Sequence, residues 1–331
     1  MSSFFEKIPV SKDIYPNPKQ CCYLIPNDGN AKNNKTKTDM VHSETVKTEV
    51  GASANHFCAL HAWLYRTYTA INLEFSSNTP RPRIIIYDLG LDGWQIALLN
   101  SLKSAGVFTE LRKFDFSKYP DFWNIKVNAG EYGWKVGILS ELVRDFPGIL
   151  VWLDSGSFMR TPFLRNIEKL LKNDKCIASP KSSSTLFRWT HPGVYAYYGV
   201  PRPEKFRYVD NCSAGVLVFN THTASKLFGE WLDCALHKDC IAPEGSSRKN
   251  HRQDQAALTY LSAREGCFCR KTPIEFNVMN HMDRNCAENI VRFEQLNSVP
   301  WNISEGDRLQ MKRFKGKRKG YWWKMAWEVI P

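Results

Sequence analysis

Hydrophobic runs and polar breaks alternate along the middle of the chain in a regular order. Ile84-Ile85-Ile86-Tyr87 is apolar on both faces and closes in Asp88-Leu89-Gly90, which predicts a buried strand and a turn. Trp94, Ala97, Leu98 and Leu102 then recur at helical spacing, with Gly106 as the stop. A second strand is expected around 110–114, a helix over 131–144, and a central strand over 149–153. That last run ends abruptly in Asp154-Ser155-Gly156-Ser157. A further helix is predicted over 162–171. Strands apolar on both faces, alternating with helices, predict an α/β fold: a mostly parallel, Rossmann-like sheet flanked by helices. In such sheets ligands bind beyond the carboxyl ends of the strands, which draws attention to Asp154.

The second half is less regular. A short strand is expected at 176–179, and 181–209 is a long excursion rich in Phe, Trp and Tyr. Ala214-Gly215-Val216-Leu217-Val218-Phe219 reads as another buried strand, followed by a helix over 223–236 and a helix entered at Gln253-Asp254-Gln255. Residues 1–55 read as a flexible leader or stem, because the run from Asn27 to Asn55 is too polar to bury much surface. A helix packing on the domain edge is expected within 56–80. The domain proper spans 81–305, and 306–331 is a basic, aromatic tail.

The 331 residues suffice for a large core, with 43% hydrophobic residues and an ordinary charged fraction of 24%. The net charge is +12, but Arg308, Lys312, Arg313, Lys315, Lys317, Arg318, Lys319 and Lys324 supply eight of those charges with no acidic residue among them. Basicity is therefore local, and no nucleic-acid partner is expected. The tail, with Tyr321-Trp322-Trp323, suits peripheral contact with an anionic lipid surface or a solvated role. The ten cysteines fall at no zinc-like spacing, so disulfides are the better reading than metal ligation. Sequons at Asn34, Asn211 and Asn302 agree with an oxidising compartment. The start, Met1-Ser2-Ser3-Phe4-Phe5-Glu6-Lys7, has no secretory signal. The expectation is a secretory-pathway (Golgi lumen) protein if a membrane anchor lies outside this chain, and a cytoplasmic one otherwise.

Three motifs in order carry a resemblance: the Asp154 turn after a buried strand, the run Asn211-Cys212-Ser213-Ala214-Gly215-Val216-Leu217-Val218-Phe219-Asn220, and the helix entrance Arg252-Gln253-Asp254-Gln255. Together they resemble a nucleotide-sugar glycosyltransferase of the GT-A fold with a single catalytic domain. Further pieces, Tyr87-Asp88-Leu89-Gly90-Leu91, Glu131-Tyr132-Gly133-Trp134-Lys135, Trp152-Leu153-Asp154-Ser155 and Cys240-Ile241-Ala242-Pro243-Glu244-Gly245-Ser246, are similar to an uncharacterised, nematode-rich animal family known as domain of unknown function 1647.

The resemblance implies transfer of a sugar from a nucleotide-diphosphate donor (a UDP- or GDP-sugar) to a glycan or glycoprotein acceptor. Asp154 would hold Mn2+ or Mg2+ on the donor diphosphate, with His281 as a late ligand. The second carboxylate usual two residues further on is replaced by Gly156. That departure admits a catalytically silent, glycan-binding domain as the alternative. Asp88, Leu89 and Gly90 would receive the nucleotide base; Lys135, Ser155 and Arg252 would meet the phosphates. Asn211, Ser213 and Gln255 would line the sugar site, and Asp254 would orient hydroxyls or act as base. Each has a plainer role available: Asp154 as a cap, Asp88-Leu89-Gly90 as a turn, Asp254 as a helix-dipole partner, His281 as a structural histidine, and Lys135 in a bridge with Glu131. The aromatics of 187–208 either stack on acceptor sugars or fill the core.

Overall fold

The computed structural model describes residues 19–20, 46–75, 81–160, 162–171, 176–269 and 271–290. The rest of the leader, the sequons at Asn34 and Asn302, and the basic tail lie outside the described residues.

Among the described residues the main sheet has six strands: β1 (Lys19–Gln20), β2 (Val46–Ser53), β3 (Arg83–Asp88), β4 (Glu110–Lys113), β5 (Ile149–Leu153) and, further along the chain, β9 (Val216–Asn220). Their order is β4-β3-β2-β5-β9, with β1 pairing antiparallel to β2. β4, β3, β2 and β5 are parallel and β9 runs antiparallel to β5. The mixed α/β architecture matches the expected fold class. One boundary differs: 46–53, assigned to the leader by its polarity, is the strand on which the sheet turns. Its sequence, Val-Lys-Thr-Glu-Val-Gly-Ala-Ser, lacks an apolar run, so hydropathy alone does not reveal it.

Strand order reverses between β2 and β5, where they pair at one register position, Val46 opposite Ile149. Such a switch point is where open α/β sheets bind ligands, beyond the strand carboxyl ends. Helix α1 (Phe57–Glu74) follows β2, α2 (Gly93–Ser104) follows β3, and α3 (Gly133–Asp145) precedes β5. Gly51 lets α3 lie close on β2: a Cβ there would stand 3.0 Å from Ile138 and 3.4 Å from Trp134. The predicted start of α3 at 131 moves to Gly133, because 128–132 form a left-handed turn.

Beyond β5 come β6 (Phe158–Met159) and a single turn of 3-10 helix leading into α4 (Ile167–Leu171), shorter than the predicted 162–171. The strand expected at 176–179 is only one bridge, Ala178 to Val218. The aromatic excursion holds the hairpin partners β7 (Lys181–Thr185) and β8 (Asp210–Cys212), with α5 (Leu186–Trp189) and α6 (Pro192–Tyr197) between them. Its aromatics divide: Tyr195 is buried, whereas Tyr208 is 87% exposed. After β9 follow α7 (Thr221–Leu236), α8 (Lys238–Ile241), α9 (Gln253–Arg264) and β10 (Val278–Met279), which pairs with β6.

The expected disulfides form: Cys58–Cys286, Cys176–Cys267, Cys212–Cys269 and Cys234–Cys240. The first ties α1 to a segment 228 residues away. Four buried tryptophans pin loops as well as filling space, because an indole N–H taken out of water needs an acceptor. Trp63 donates to Ser157 O, Trp123 to Ala235 O, Trp152 to Asp154 Oδ1 and Trp231 to Asp254 O. Three of those acceptors lie in the Asp154 turn or at the start of α9.

Candidate active site

β5 ends at Leu153, and Trp152 and Asp154, two residues apart, share one face of the chain. The Trp152 Nε1 donates to Asp154 Oδ1 at 2.8 Å, which fixes the carboxylate. The Asp154 backbone N–H is held by Gly215 O at 2.7 Å, and a Cβ on Gly215 would come within 3.0 Å of Asp154 Oδ2. The glycine in the second motif therefore makes room for the aspartate of the first.

Lys135, in the first turn of α3, reaches across to this carboxylate. Its Nζ lies 3.0 Å from Asp154 Oδ1, 3.2 Å from Asp254 Oδ2 and 3.3 Å from Ala214 O. The ammonium donates to Asp154 Oδ2 and Ala214 O, both at 3.3 Å, and faces Asp254 Oδ2 as an ion pair. The side chains of Lys135 and Asp254 are 4% and 7% exposed, while that of Asp154 is 44% exposed. Burial disfavours the charged lysine, but the two carboxylates more than offset it and raise its pKa, so it stays protonated. Burial holds Asp254 above the usual carboxylate range; Lys135 offsets part of that, and the Asp154 charge reinforces it.

Both arms of this triad leave strained backbone. Asn128, Ala129, Glu131 and Tyr132 have positive φ around Gly130, and Gln253, next to Asp254, has φ of 37°. For non-glycine residues this conformation costs on the order of 1–2 kcal/mol each. Such strain clusters at functional sites, where surrounding contacts impose it. The two turns are bonded to each other: Gln253 Nε2 donates to Glu131 Oε2 at 3.2 Å, and Asn128 Nδ2 donates to Glu131 Oε1 at 3.2 Å. Glu131 is thus engaged with Gln253 and Asn128, and Lys135 with the aspartates. The Glu131–Lys135 surface bridge is not formed.

Other expected site residues take varied places. Asp88 Oδ1 accepts from the backbone of Gly90 and Leu91 at 2.7 and 2.6 Å, so the turn reading describes it. The side chain of Leu89 is buried in the core, whereas Gly90, at φ 112°, is exposed and bonds through its carbonyl to Ala54 N. Lys135, expected at the donor phosphates, sits behind the aspartates with its donors engaged. Asn211 has no exposed surface and bonds with Thr259, itself bonded to Cys212 N and Gln255 O, so it braces the site from below and cannot carry a glycan in this fold. Ser213 and Ser155 are likewise buried, and Gln255 is half-buried on the first turn of α9. Arg252 lies over the Trp189 ring at 4.0 Å.

His281 is exposed with φ of 62°, in a segment that returns to the Asp154 turn: Met282 N donates to Gly156 O at 3.0 Å. This brings Asp283 to the turn. A Cβ on Gly156 would stand 2.6 Å from Asp283 Oδ1, so the carboxylate occupies the space a side chain at 156 would need. Asp283, Trp152, Glu131 and Gln253 were not singled out as site residues from sequence. Nothing in the sequence joins Asp283 to Gly156 across 127 positions; only the Trp-x-Asp spacing gave a local signal.

No family model matches the chain, and comparison with curated proteins gives no match. Among solved structures it is similar to the galactosyltransferase LgtC in complex with donor and acceptor sugar analogues, at 17% identity and TM-score 0.44, covering 78% of this chain and 98% of that one. It is also similar to mouse xyloside xylosyltransferase 1 in its apo form (12% identity, TM-score 0.35, covering 61% and 77%) and to the WbbM bifunctional glycosyltransferase (13%, 0.40, 80% and 50%). Likenesses at these scores are distant.

Proposed function

We propose that the chain is a glycosyltransferase that moves a sugar from a nucleotide-diphosphate donor to a glycan or protein acceptor. One observation carries this reading: Lys135 joins Asp154 and Asp254 beyond the carboxyl end of β5, beside the switch point of the sheet. That is where such a fold receives a nucleotide, and the pairing leaves one carboxylate, Asp154, facing solvent. The resemblance of the three motifs supports the same assignment, and the likeness to domain of unknown function 1647 is part of it.

Mn2+ or Mg2+ is implied by the resemblance; among the described residues no three His, Cys, Asp or Glu side chains cluster as a metal site, and the candidate ligands are two carboxylates at one turn. Hard cations take carboxylate oxygens, and Asp283 supplies a second carboxylate at the turn where Gly156 has none. Asp154 and Asp283 would hold the ion, with His281 nearby in the chain; bound there, it would neutralise charge developing on the leaving diphosphate. In the transfer, the bond from the anomeric carbon to the diphosphate oxygen breaks, an acceptor oxygen bonds that carbon, and the acceptor proton leaves. Lys135 positions both aspartates without touching the reacting atoms. Asp254, whose pKa burial raises, would orient hydroxyls or take that proton. Gly90 and the Asp88 turn would lie under the base, and Arg252 would face the phosphates. The four disulfides among the described residues support an oxidising, secretory compartment.

The test is thermal stability and calorimetric binding across UDP, GDP and their sugars, with and without Mn2+. Stabilisation by one nucleotide class, enhanced by Mn2+ and lost in Asp154→Ala, is expected. A folded protein that answers none of them would overturn the donor assignment.

A further inference from the structure

A cleft of about 620 Å3 opens on the excursion between β7 and β8. Its volume suits a ligand of several rings. Arg188, Arg202 and Arg207 line it, with Phe187, His191 and Tyr208, and no carboxylate is part of its lining. Arg207 is balanced by Glu204 at 2.6 and 3.0 Å, an exposed pair. Neither Arg188 nor Arg202 forms an ion pair with a carboxylate among the described residues. Glu204 also lies within electrostatic reach of Arg202, so one carboxylate faces three guanidinium groups and the cleft holds net positive charge.

These guanidinium groups are also held in place. Arg202 lies 3.4 Å from the centroid of the Phe187 ring and donates to Phe187 O. Arg207 lies 4.6 Å from the same ring, and Arg188 donates to Lys249 O at 3.2 Å while lying 5.0 Å from the Trp189 ring. A guanidinium already ordered on an aromatic face loses little entropy on meeting an oxyanion, and its planar fork suits carboxylate or sulfate. Tyr208, 87% exposed at the rim, offers a flat apolar face with a hydroxyl, the kind of surface on which a sugar ring stacks. Arginine forks beside an exposed ring are a recognition set for an acidic sugar.

The cleft is joined to the candidate active site through Trp189: Arg252 N donates to Trp189 O at 3.1 Å, and the Arg252 guanidinium lies over its ring. Arg252 opens the turn that presents Asp254.

We propose that this cleft binds an acidic saccharide, one bearing carboxylate or sulfate groups, as a subsite for the acceptor. As an acceptor subsite it rests on the glycosyltransferase reading; as a binding site it stands without it.

The test is calorimetric binding of a sulfated glycosaminoglycan hexasaccharide, its desulfated form and a neutral hexasaccharide to the full chain. Each is measured with and without saturating UDP or GDP and Mn2+. The sulfated or carboxylated probes should bind and the neutral one should not. Arg188→Gln, at an exposed position, and Arg202→Gln should each weaken binding about tenfold or more, and Lys118→Gln, an exposed basic residue outside the cleft lining, should leave it unchanged. Circular dichroism checks that each variant is folded. Equal binding of the neutral probe, unchanged affinity in Arg188→Gln and Arg202→Gln, or equally tight binding of a single-stranded oligonucleotide of matched charge would each overturn the proposal. So would displacement of the saccharide by UDP or GDP, since the cleft would then belong to the donor. Saccharide binding that persists in a protein answering no nucleotide would fail the transferase reading alone.

Discussion

Replacing Lys135 with methionine is the most informative single change. Methionine keeps much of the stem volume and removes the charge, leaving Asp254 with a 7% exposed side chain and no cation in contact among the described residues. Removing one partner of a buried ion pair typically costs about 3–5 kcal/mol, chiefly the cost of the stranded charge. Asp154, 44% exposed, keeps its water and its bond from Trp152, so it contributes little to that loss. Burial already raises the Asp254 pKa, and the variant raises it further. A folded carboxyl that binds its proton more tightly than the unfolded one makes stability fall as pH rises through that window. The deficit of Lys135→Met relative to the parent should therefore be largest near neutral pH and shrink as pH falls towards the ordinary carboxylate range. Urea unfolding at several pH values measures it, and Lys135→Met/Asp254→Leu should recover most of the loss, giving a coupling of roughly 2 kcal/mol or more between the sites. A single-variant loss below about 1 kcal/mol, or no recovery in the double variant, would refute the reasoning that Lys135 holds a buried charge.

Other expectations follow from the same contacts. Asp283→Asn should abolish Mn2+-dependent stabilisation while leaving metal-free stability nearly unchanged, and Gly156→Asp/Asp283→Ala should restore it; thermal melts with a Mn2+ titration decide this. Gly133→Ala places a Cβ 2.1 Å from Trp123 Nε1 and should cost about 1–3 kcal/mol or more in urea unfolding. His61 and His251 are held neutral by burial, lowered to about 3 and about 4. Their unfolded forms gain protons as pH drops below about 6.5, so each should remove about 1.4 kcal/mol per pH unit down to its folded value. His251→Gln should reduce that acid sensitivity, measured between pH 6.5 and 4.5. Serine replacement of both Cys58 and Cys286 should cost about 2–5 kcal/mol in unfolding and weaken Mn2+ binding, because that bridge anchors the segment bearing Asp283.

Much of the sheet was legible because β3, β5 and β9 are continuous apolar runs, the pattern of strands covered on both faces. β2 was not, since Lys47, Thr48 and Glu49 interrupt it and its place is set by register against β3. Asp154 and Asp254 stood out by position, one after a buried strand and one at a helix entrance. Their junction through Lys135 did not, because helical spacing offers Glu131 as a partner and the left-handed turn at 128–132 turns that residue away. Asp283 was invisible for a different reason: its contact with the Gly156 turn depends on a chain reversal fixed by a disulfide and one backbone bond.

The most direct test of the account is release of nucleotide diphosphate from UDP- and GDP-sugars by the purified, disulfide-intact chain, with and without Mn2+ and an acidic oligosaccharide acceptor. The account predicts release from one donor class, raised by Mn2+ and by the acceptor, and lost in Asp154→Ala and Asp254→Asn. Absence of release from every donor by a protein that is folded and binds nucleotide would contradict it.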